Sequence, residues 1–199
     1  MAKLRPLVMM LAAAVFASAC SPQVQADPVE PTRTSPAPLA PEFKGIDHWL
    51  NSKPLELKQL RGKVVLVEFW TYSCINCIHV MPHVKQWHAD YKDKGLVVVG
   101  VHTPEYGYEK QLDNLQAAVK RFGITYPVAQ DNGYQTWNAY GNQYWPALYL
   151  IDTEGHIVYQ HFGEGDYDVT EARIRQLLKA VPATPKPLAR TVTPIRVAQ

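Results

Sequence analysis

The chain has 199 residues, with 20 Lys and Arg against 18 Asp and Glu and a formal charge of +2, a length that suits one domain with accessory segments. Lys3 and Arg5 lie in the first apolar segment, and setting those two aside leaves 18 basic against 18 acidic residues, so nothing indicates a nucleic-acid surface. A hydrophobic share of 47% supports a packed core, while most of the 16 prolines crowd towards the two ends.

Residues 1–19 read as an export signal. Lys3 and Arg5 give a positive start, Leu7 to Ala17 an apolar core, and Ala17-Ser18-Ala19 a small-residue end before Cys20. That core is too short to span a bilayer, which takes about 20 apolar residues. Two processing outcomes fit. Cleavage at the Ala-x-Ala pattern, or at Val24-Gln25-Ala26, releases a soluble protein. Alternatively, Cys20 ends a segment that resembles a bacterial lipoprotein box and becomes a lipidated N-terminus, although Ala17 stands where that box usually has Leu. Either outcome predicts an extracytoplasmic protein, in the bacterial periplasm and in the second case membrane-anchored. Residues 20–41 are rich in Pro, Ala, Ser and Thr and read as a disordered tether, as does the tail 182–199. The folded domain is expected over residues 42–181.

Within it, Phe43 to Leu50 begins the fold and Pro54 to Leu57 reads as a short strand. The β-branched run Val64 to Trp70 reads as a buried strand, and the apolar positions then switch to helical spacing at Val80, Val84, Trp87 and Tyr91. Gly95 fits the helix end. Leu96 to Val101 is a second buried run, of the kind found in parallel sheets. Leu112 to Phe122 repeats helically up to Gly123; Tyr126 to Ala129 is a short strand and Tyr134 to Tyr140 a short helix. Ala147–Ile151 and His156–Phe162 form a hairpin across Asp152-Thr153-Glu154-Gly155. A final helix starts at Asp168, with Glu171 completing a capping box. This alternation predicts an α/β fold, a parallel core with helices on both faces, closed by an antiparallel hairpin.

Cys74-Ile75-Asn76-Cys77 falls between the buried strand and its helix. Only these two of the three cysteines remain in the folded part, and a loop this short closes off little chain entropy, so a structural staple is disfavoured. A nucleophilic Cys must be a thiolate, and moving a pKa from about 8.5 to about 7 takes roughly 2 kcal/mol. A helix N-terminus supplies about that much when partly buried. Cys74, nearer the helix start, reads as the attacking thiol, and Cys77, one turn deeper, as the one that resolves the mixed disulfide. A zinc site from Cys74, Cys77, His79 and His83 is hard to close, because Cys77 and His79 point to different helix faces; no metal is expected. Ile78 replaces the His that covalent haem attachment requires. His79, His83 and His88 read as surface or packing residues. Glu68 sits within the buried run, where a carboxylate is costly unless it exchanges protons; otherwise it reaches solvent at the strand end.

The stretch Phe69-Trp70-Thr71-Tyr72-Ser73-Cys74-Ile75-Asn76-Cys77 resembles the thioredoxin superfamily, in its exported TlpA-like branch, and is similar to the thioredoxin-like domain of DipZ-type thiol-disulfide oxidoreductases. The resemblance runs from about residue 42 to 181. It implies a thioredoxin-like fold, a central mixed sheet flanked by helices. It also implies a buried acid at Glu68, a helix-kinking proline at Pro82, and a cis-proline at Pro146 within Trp145-Pro146-Ala147-Leu148, leaving the backbone before it free to pair with substrate. From the residues alone Pro146 equally suits a trans proline that opens a strand. Trp70, Tyr72 and Trp145 would form an apolar substrate rim unless they pack inward, and His102 would line the groove. The implied activity is thiol–disulfide exchange with protein substrates through a redox-active Cys74–Cys77 disulfide, with no other cofactor. The expected direction is reduction, for instance of apocytochrome c, by a monomer that draws electrons from a membrane donor of the DsbD/CcdA kind. Ile75-Asn76 departs from the Gly-Pro of thioredoxin, so no redox potential carries over. Two alternatives stay open. One is a thiol peroxidase, suggested by Thr71 three residues before Cys74, although the upstream proline of that pattern is Val67 here. The other is a copper-binding module, disfavoured by the two-residue spacing of the cysteines.

Overall fold

A computed structural model describes residues 37–181; the expected signal, Cys20, most of the tether and the tail lie outside the described residues. Its frame is a six-stranded mixed sheet in the order β1-β4-β3-β2-β5-β6. The strands are β1 (His48–Leu50), β2 (Val64–Trp70), β3 (Leu96–His102), β4 (Val128–Gln130), β5 (Ala147–Ile151) and β6 (Ile157–Phe162). β2, the β-branched run, is central and buried along its whole length. It pairs in parallel with β3 and antiparallel with β5. β3 pairs in parallel with β4, β1 runs antiparallel beside β4, and β5–β6 is the expected hairpin.

Four helices follow: α1 (Ile75–Tyr91), α2 (Leu112–Phe122), α3 (Gln135–Ala139) and α4 (Tyr167–Leu178). They cover the two sheet faces unequally. Val64, Leu66 and Trp70 of β2 pack with Val80 and Val84 of α1, Leu115 of α2 and Ile174 of α4. Because side chains alternate along a strand, Val65, Val67 and Phe69 face the other way. There they meet Trp137 of α3, Leu57 and Ala40.

Three expectations are corrected. The strand expected at Pro54–Leu57 is absent; Leu57–Leu60 is a 3-10 turn, because the Glu42 carboxylate accepts from the N–H groups of Leu57 and Lys58 at 2.6 and 2.8 Å. The segment 43–50 begins the fold as expected, with β1 at its end. Asp168 does not open a capping box: α4 begins at Tyr167 after Asp166, and Glu171 instead accepts from the Tyr91 hydroxyl at 2.5 Å. Residues 37–41, expected to belong to the tether, pack against the folded domain. Ala40 N–H donates to Gly155 O and Ile157 N–H to Pro38 O, both at 2.9 Å, so residues 37–41 lie along the hairpin. Prolines lack a donor, but their carbonyls still accept.

Candidate functional site

β2, β3 and β4 run in parallel and end side by side, and in open α/β sheets such carboxyl ends are where sites form. Backbone bonds lock this end together: Thr103 N–H donates to Trp70 O at 3.1 Å and Asp131 N–H to His102 O at 2.9 Å. β5 enters antiparallel with Ala147 opposite Phe69, which brings Pro146 level with the last residues of β2. The Trp145–Pro146 peptide is cis.

The chain leaves β2, turns through Thr71–Ser73 and enters α1 with Cys74 as its N-cap. Cys74 is partly exposed and Cys77 fully buried, both as free thiols. The backbone N–H of Cys77 donates to Cys74 Sγ at 3.2 Å, so the sulfur takes the place of a capping oxygen. The Cys77 side chain and the N–H groups of Cys77 and Asn76 favour the Cys74 anion and bring its pKa down to about 7, against the opposing effect of partial burial. Burial pushes the Cys77 thiol in the other direction, far up, and the neighbouring Cys74 and Glu68 charges add to the rise.

Glu68 does not reach solvent. It lies on the helix-covered face of β2, fully buried, and burial raises its pKa to about 8 while a hydrogen bond from the Tyr126 hydroxyl (3.1 Å) opposes the rise. Its second oxygen, Oε1, has no partner. Pro82 sits inside α1.

The rim differs from expectation. Trp70 is fully buried, because it shares the inward face of β2 with Leu66; its ring meets His102 edge-on at 5.4 Å. Tyr72 also packs inward, stacked on His102 at 5.4 Å, with its hydroxyl donating to Tyr108 O. His102 lines no groove: it is enclosed, held down at a pKa of about 4 by burial, and its Nε2 lies 3.2 Å from Thr71 Oγ1. Of the three expected rim aromatics only Trp145 stays partly exposed, fixed by its indole N–H on Thr103 O (2.9 Å) and by the Trp137 ring. The apolar groups that do face outward near Cys74 are Ile75, Tyr106 and Tyr108.

Glu109 escaped the sequence reading. It is buried in a 3-10 turn and accepts from Ser73 Oγ at 2.5 Å and from the N–H groups of Glu105 and Tyr106 at 2.6 and 2.9 Å. Burial pushes its carboxyl up, but the bonds from Ser73, Thr71 and the two N–H groups outweigh that and hold it below the ordinary carboxylate value. Glu109 thus ties loop 104–110 to the residue before Cys74. No local signal marks it, because a capping box is read from Ser, Thr, Asp or Asn at the position that Tyr106 fills here.

Among the described residues no group of three or more His, Cys, Asp or Glu side chains is placed to hold a metal. His79 turns to Glu164 at 3.1 Å and His83 stacks on Tyr167 at 3.6 Å. His88 is half-buried with its ring edge on Tyr126.

Comparison with known proteins agrees with this geometry. Residues 37–160 match the AhpC/TSA family model. Protein DipZ of Mycobacterium bovis is 57% identical over 142 residues, 70% of this chain but 20% of DipZ, so the chain spans about a fifth of that relative's length. The thiol-disulfide oxidoreductase ResA of Bacillus thuringiensis is 31% identical over 138 residues, 69% of this chain and 76% of ResA. Among solved structures, a thioredoxin-like superfamily protein superposes with a TM-score of 0.67 at 31% identity, covering 74% of this chain and 99% of its own. The fold is therefore thioredoxin-like, and the chain belongs to the AhpC/TSA family, in the TlpA-like branch of the thioredoxin superfamily.

Proposed function

We propose that the protein is an extracytoplasmic thiol-disulfide oxidoreductase that reduces disulfides in protein substrates through Cys74 and Cys77. One observation carries the reading, the asymmetry of the thiol pair. A pKa of about 7 leaves roughly half of Cys74 ionised at neutral pH and partly exposed, while Cys77 is buried and held as a thiol beside an acid of pKa about 8. The Cys74 thiolate attacks a substrate disulfide; one substrate sulfur leaves as a thiolate and takes up a proton from water. Cys77 then gives its proton to the ionised Glu68 carboxylate and attacks Cys74 Sγ. The Cys74–substrate bond breaks as the Cys74–Cys77 disulfide forms, so the substrate gains two electrons and the pair loses two. The Trp145–Pro146 segment would hold the substrate backbone, with the Trp145 ring against its side chains. Return to the dithiol needs an external reductant, and a membrane donor of the DsbD/CcdA kind suits the apolar, Cys20-terminated start of the chain. No helix among the described residues is long and apolar enough to cross a membrane. Apocytochrome c is the substrate class the TlpA-like resemblance favours.

The peroxidase alternative is weakened by Thr71. A hydroxyl that is to orient a peroxide must face the reactive sulfur, whereas Thr71 is buried against His102. The test uses reduced protein and insulin. Insulin disulfides should be reduced, peroxide should not be consumed, and Cys77→Ser should accumulate mixed disulfides through Cys74. Trapping by Cys74→Ser alone would reverse the two roles. A Cys74–Cys77 potential more oxidising than about −150 mV would sink the reductase direction.

A further inference from the structure

Tyr126 lies just before β4, fully buried, and its hydroxyl donates to Glu68 Oε2 at 3.1 Å across the strand between them. That reach depends on Gly100. In the sheet register Gly100 of β3 stands directly beside Glu68 of β2. A Cβ on Gly100 would come within 3.0 Å of Tyr126 Cε2 and 2.9 Å of Trp70 Nε1. A glycine inside a strand marks such a close approach, and here the missing side chain is the slot through which the phenol crosses β3. The result is a carboxyl with one oxygen anchored and the other, Oε1, unpartnered in the core.

We propose that Tyr126 is the positioning residue of the buried acid: seated over Gly100, it holds Glu68 Oε2 so that Oε1 is the oxygen that exchanges a proton with Cys77. The anchoring is independent of the thiol–disulfide exchange proposed above; only the step that the proton serves rests on that reading. In it, the Cys77 S–H bond breaks, the proton moves to Glu68 Oε1, and the new thiolate displaces the substrate sulfur from Cys74. The released substrate thiolate is protonated from water, and Glu68 returns its proton to solvent. Few other charges bear on the carboxyl. α1 contributes Cys74 and Cys77, and His88 of α1 meets the Tyr126 ring edge at 5.8 Å. The strand neighbours Gly100 and Leu148 are uncharged. Burial sets the high Glu68 pKa and the Tyr126 hydrogen bond lowers it, so removing the hydroxyl favours the protonated acid.

The experiment compares the full reduced chain with Tyr126→Phe, which keeps the ring and deletes only the hydroxyl. Carbon-13 NMR of the Glu68 carboxyl gives its titration midpoint, and stopped-flow gives the pH profile of mixed-disulfide resolution. Loss of a hydrogen bond to a charged acceptor should raise the midpoint by about one pH unit and slow resolution at pH 7 by about tenfold. The pH profile of Cys74 alkylation should move far less than the Glu68 midpoint, because Cys74 senses the acid only through its charge, and this separates the effect from a general loosening of the site. An unmoved Glu68 midpoint overturns the proposal. A raised midpoint in a protein that exchanges no disulfides supports the positioning of the acid and overturns only the exchange reading. Should Tyr126→Phe fail to fold, the wild-type Tyr126 Cζ resonance decides. It should inflect with the Glu68 midpoint and lose the inflection in Glu68→Gln, and a flat trace in the wild type overturns the proposal.

Discussion

On the face of β2 that carries Leu66, Glu68 and Trp70, the buried polar atoms without partners include Glu68 Oε1, Trp70 Nε1 and His102 Nδ1. On the opposite face rings meet edge to face. Phe69 touches Trp137, Tyr140 and Tyr149 at centroid distances of 5.6, 5.3 and 5.6 Å, and the Tyr149 hydroxyl donates to Asn142 Oδ1, with the Tyr140 hydroxyl left unpartnered. Both faces are buried, so an unmade hydrogen bond costs about 1–3 kcal/mol on either. That cost is concentrated on the face that holds Cys77. The aromatic face stabilises the sheet, and the helix-covered face holds protons and thiols at unusual energies.

The division can be broken most forcefully from the aromatic side. Phe69→Ala removes a fully buried ring from the centre of the cluster and should cost about 3–5 kcal/mol of stability, read by urea unfolding. The potential of the Cys74–Cys77 couple in the protein that remains folded should stay as it was. A potential that moved with the stability would show that the two faces are coupled through β2.

Glu68→Gln probes the other face, and its signature lies in pH dependence. A carboxyl whose pKa rises from 4.5 to about 8 on folding contributes stability that is fully present below about pH 4.5 and is lost as the pH rises towards 8. His102 runs the opposite way. Burial lowers its pKa from 6.5 to about 4, so stability rises with pH across that interval. The wild-type curve is therefore flattened where the two overlap, and only the difference between variant and wild type isolates Glu68. Glu68→Gln should gain on the wild type by roughly 1.4 kcal/mol per pH unit between pH 5 and 8. A difference that does not change with pH would mean that Glu68 is ionised in the folded protein throughout.

How much of this was legible beforehand follows from the range of each interaction. β2, α1 and the thiol pair came from local pattern, since hydrophobic period and Cys spacing are properties of adjacent residues. Glu68 was legible because a charge inside an apolar run is anomalous wherever the strand ends up. Trp70 was misplaced because strand alternation says that two faces exist, not which one meets the helices. Tyr126 and Gly100 read as an ordinary strand residue and an ordinary glycine; their meaning appears only when parallel pairing sets them beside Glu68, 58 residues away from the tyrosine. Glu109 was hidden in a polar run, and its burial comes from Ser73, 36 residues earlier.

Glu109 also gives the next prediction. Glu109→Ala leaves the Ser73 hydroxyl and two backbone N–H groups without their acceptor and should cost about 1.5–3 kcal/mol at neutral pH. Its pKa is held down, so the contribution is present above the ordinary carboxylate range and lost as pH falls through the depressed value. The penalty should shrink in acid, and amide exchange should speed up in residues 104–110 and at Ser73. Uniform acceleration across the sheet would mean instead that Glu109 supports the whole fold.

The smallest effect is expected at His79, only two residues beyond Cys77. Its ring meets Glu164 at 3.1 Å, but both side chains are substantially exposed, and pairs of this kind are worth about 0–1 kcal/mol and weaken with salt. One helical position separates a buried thiol from a solvated imidazole, because residues two apart on a helix look in different directions. His79→Ala should therefore change stability by at most about 0.5 kcal/mol and leave the rate of Cys74 alkylation within about twofold at pH 7. Twofold is the effect of roughly 0.4 kcal/mol on the thiolate, the scale of an exposed pair. A larger change in alkylation would place His79 within electrostatic reach of the thiols, and the boundary of the reactive region would then run around the helix rather than along its buried face.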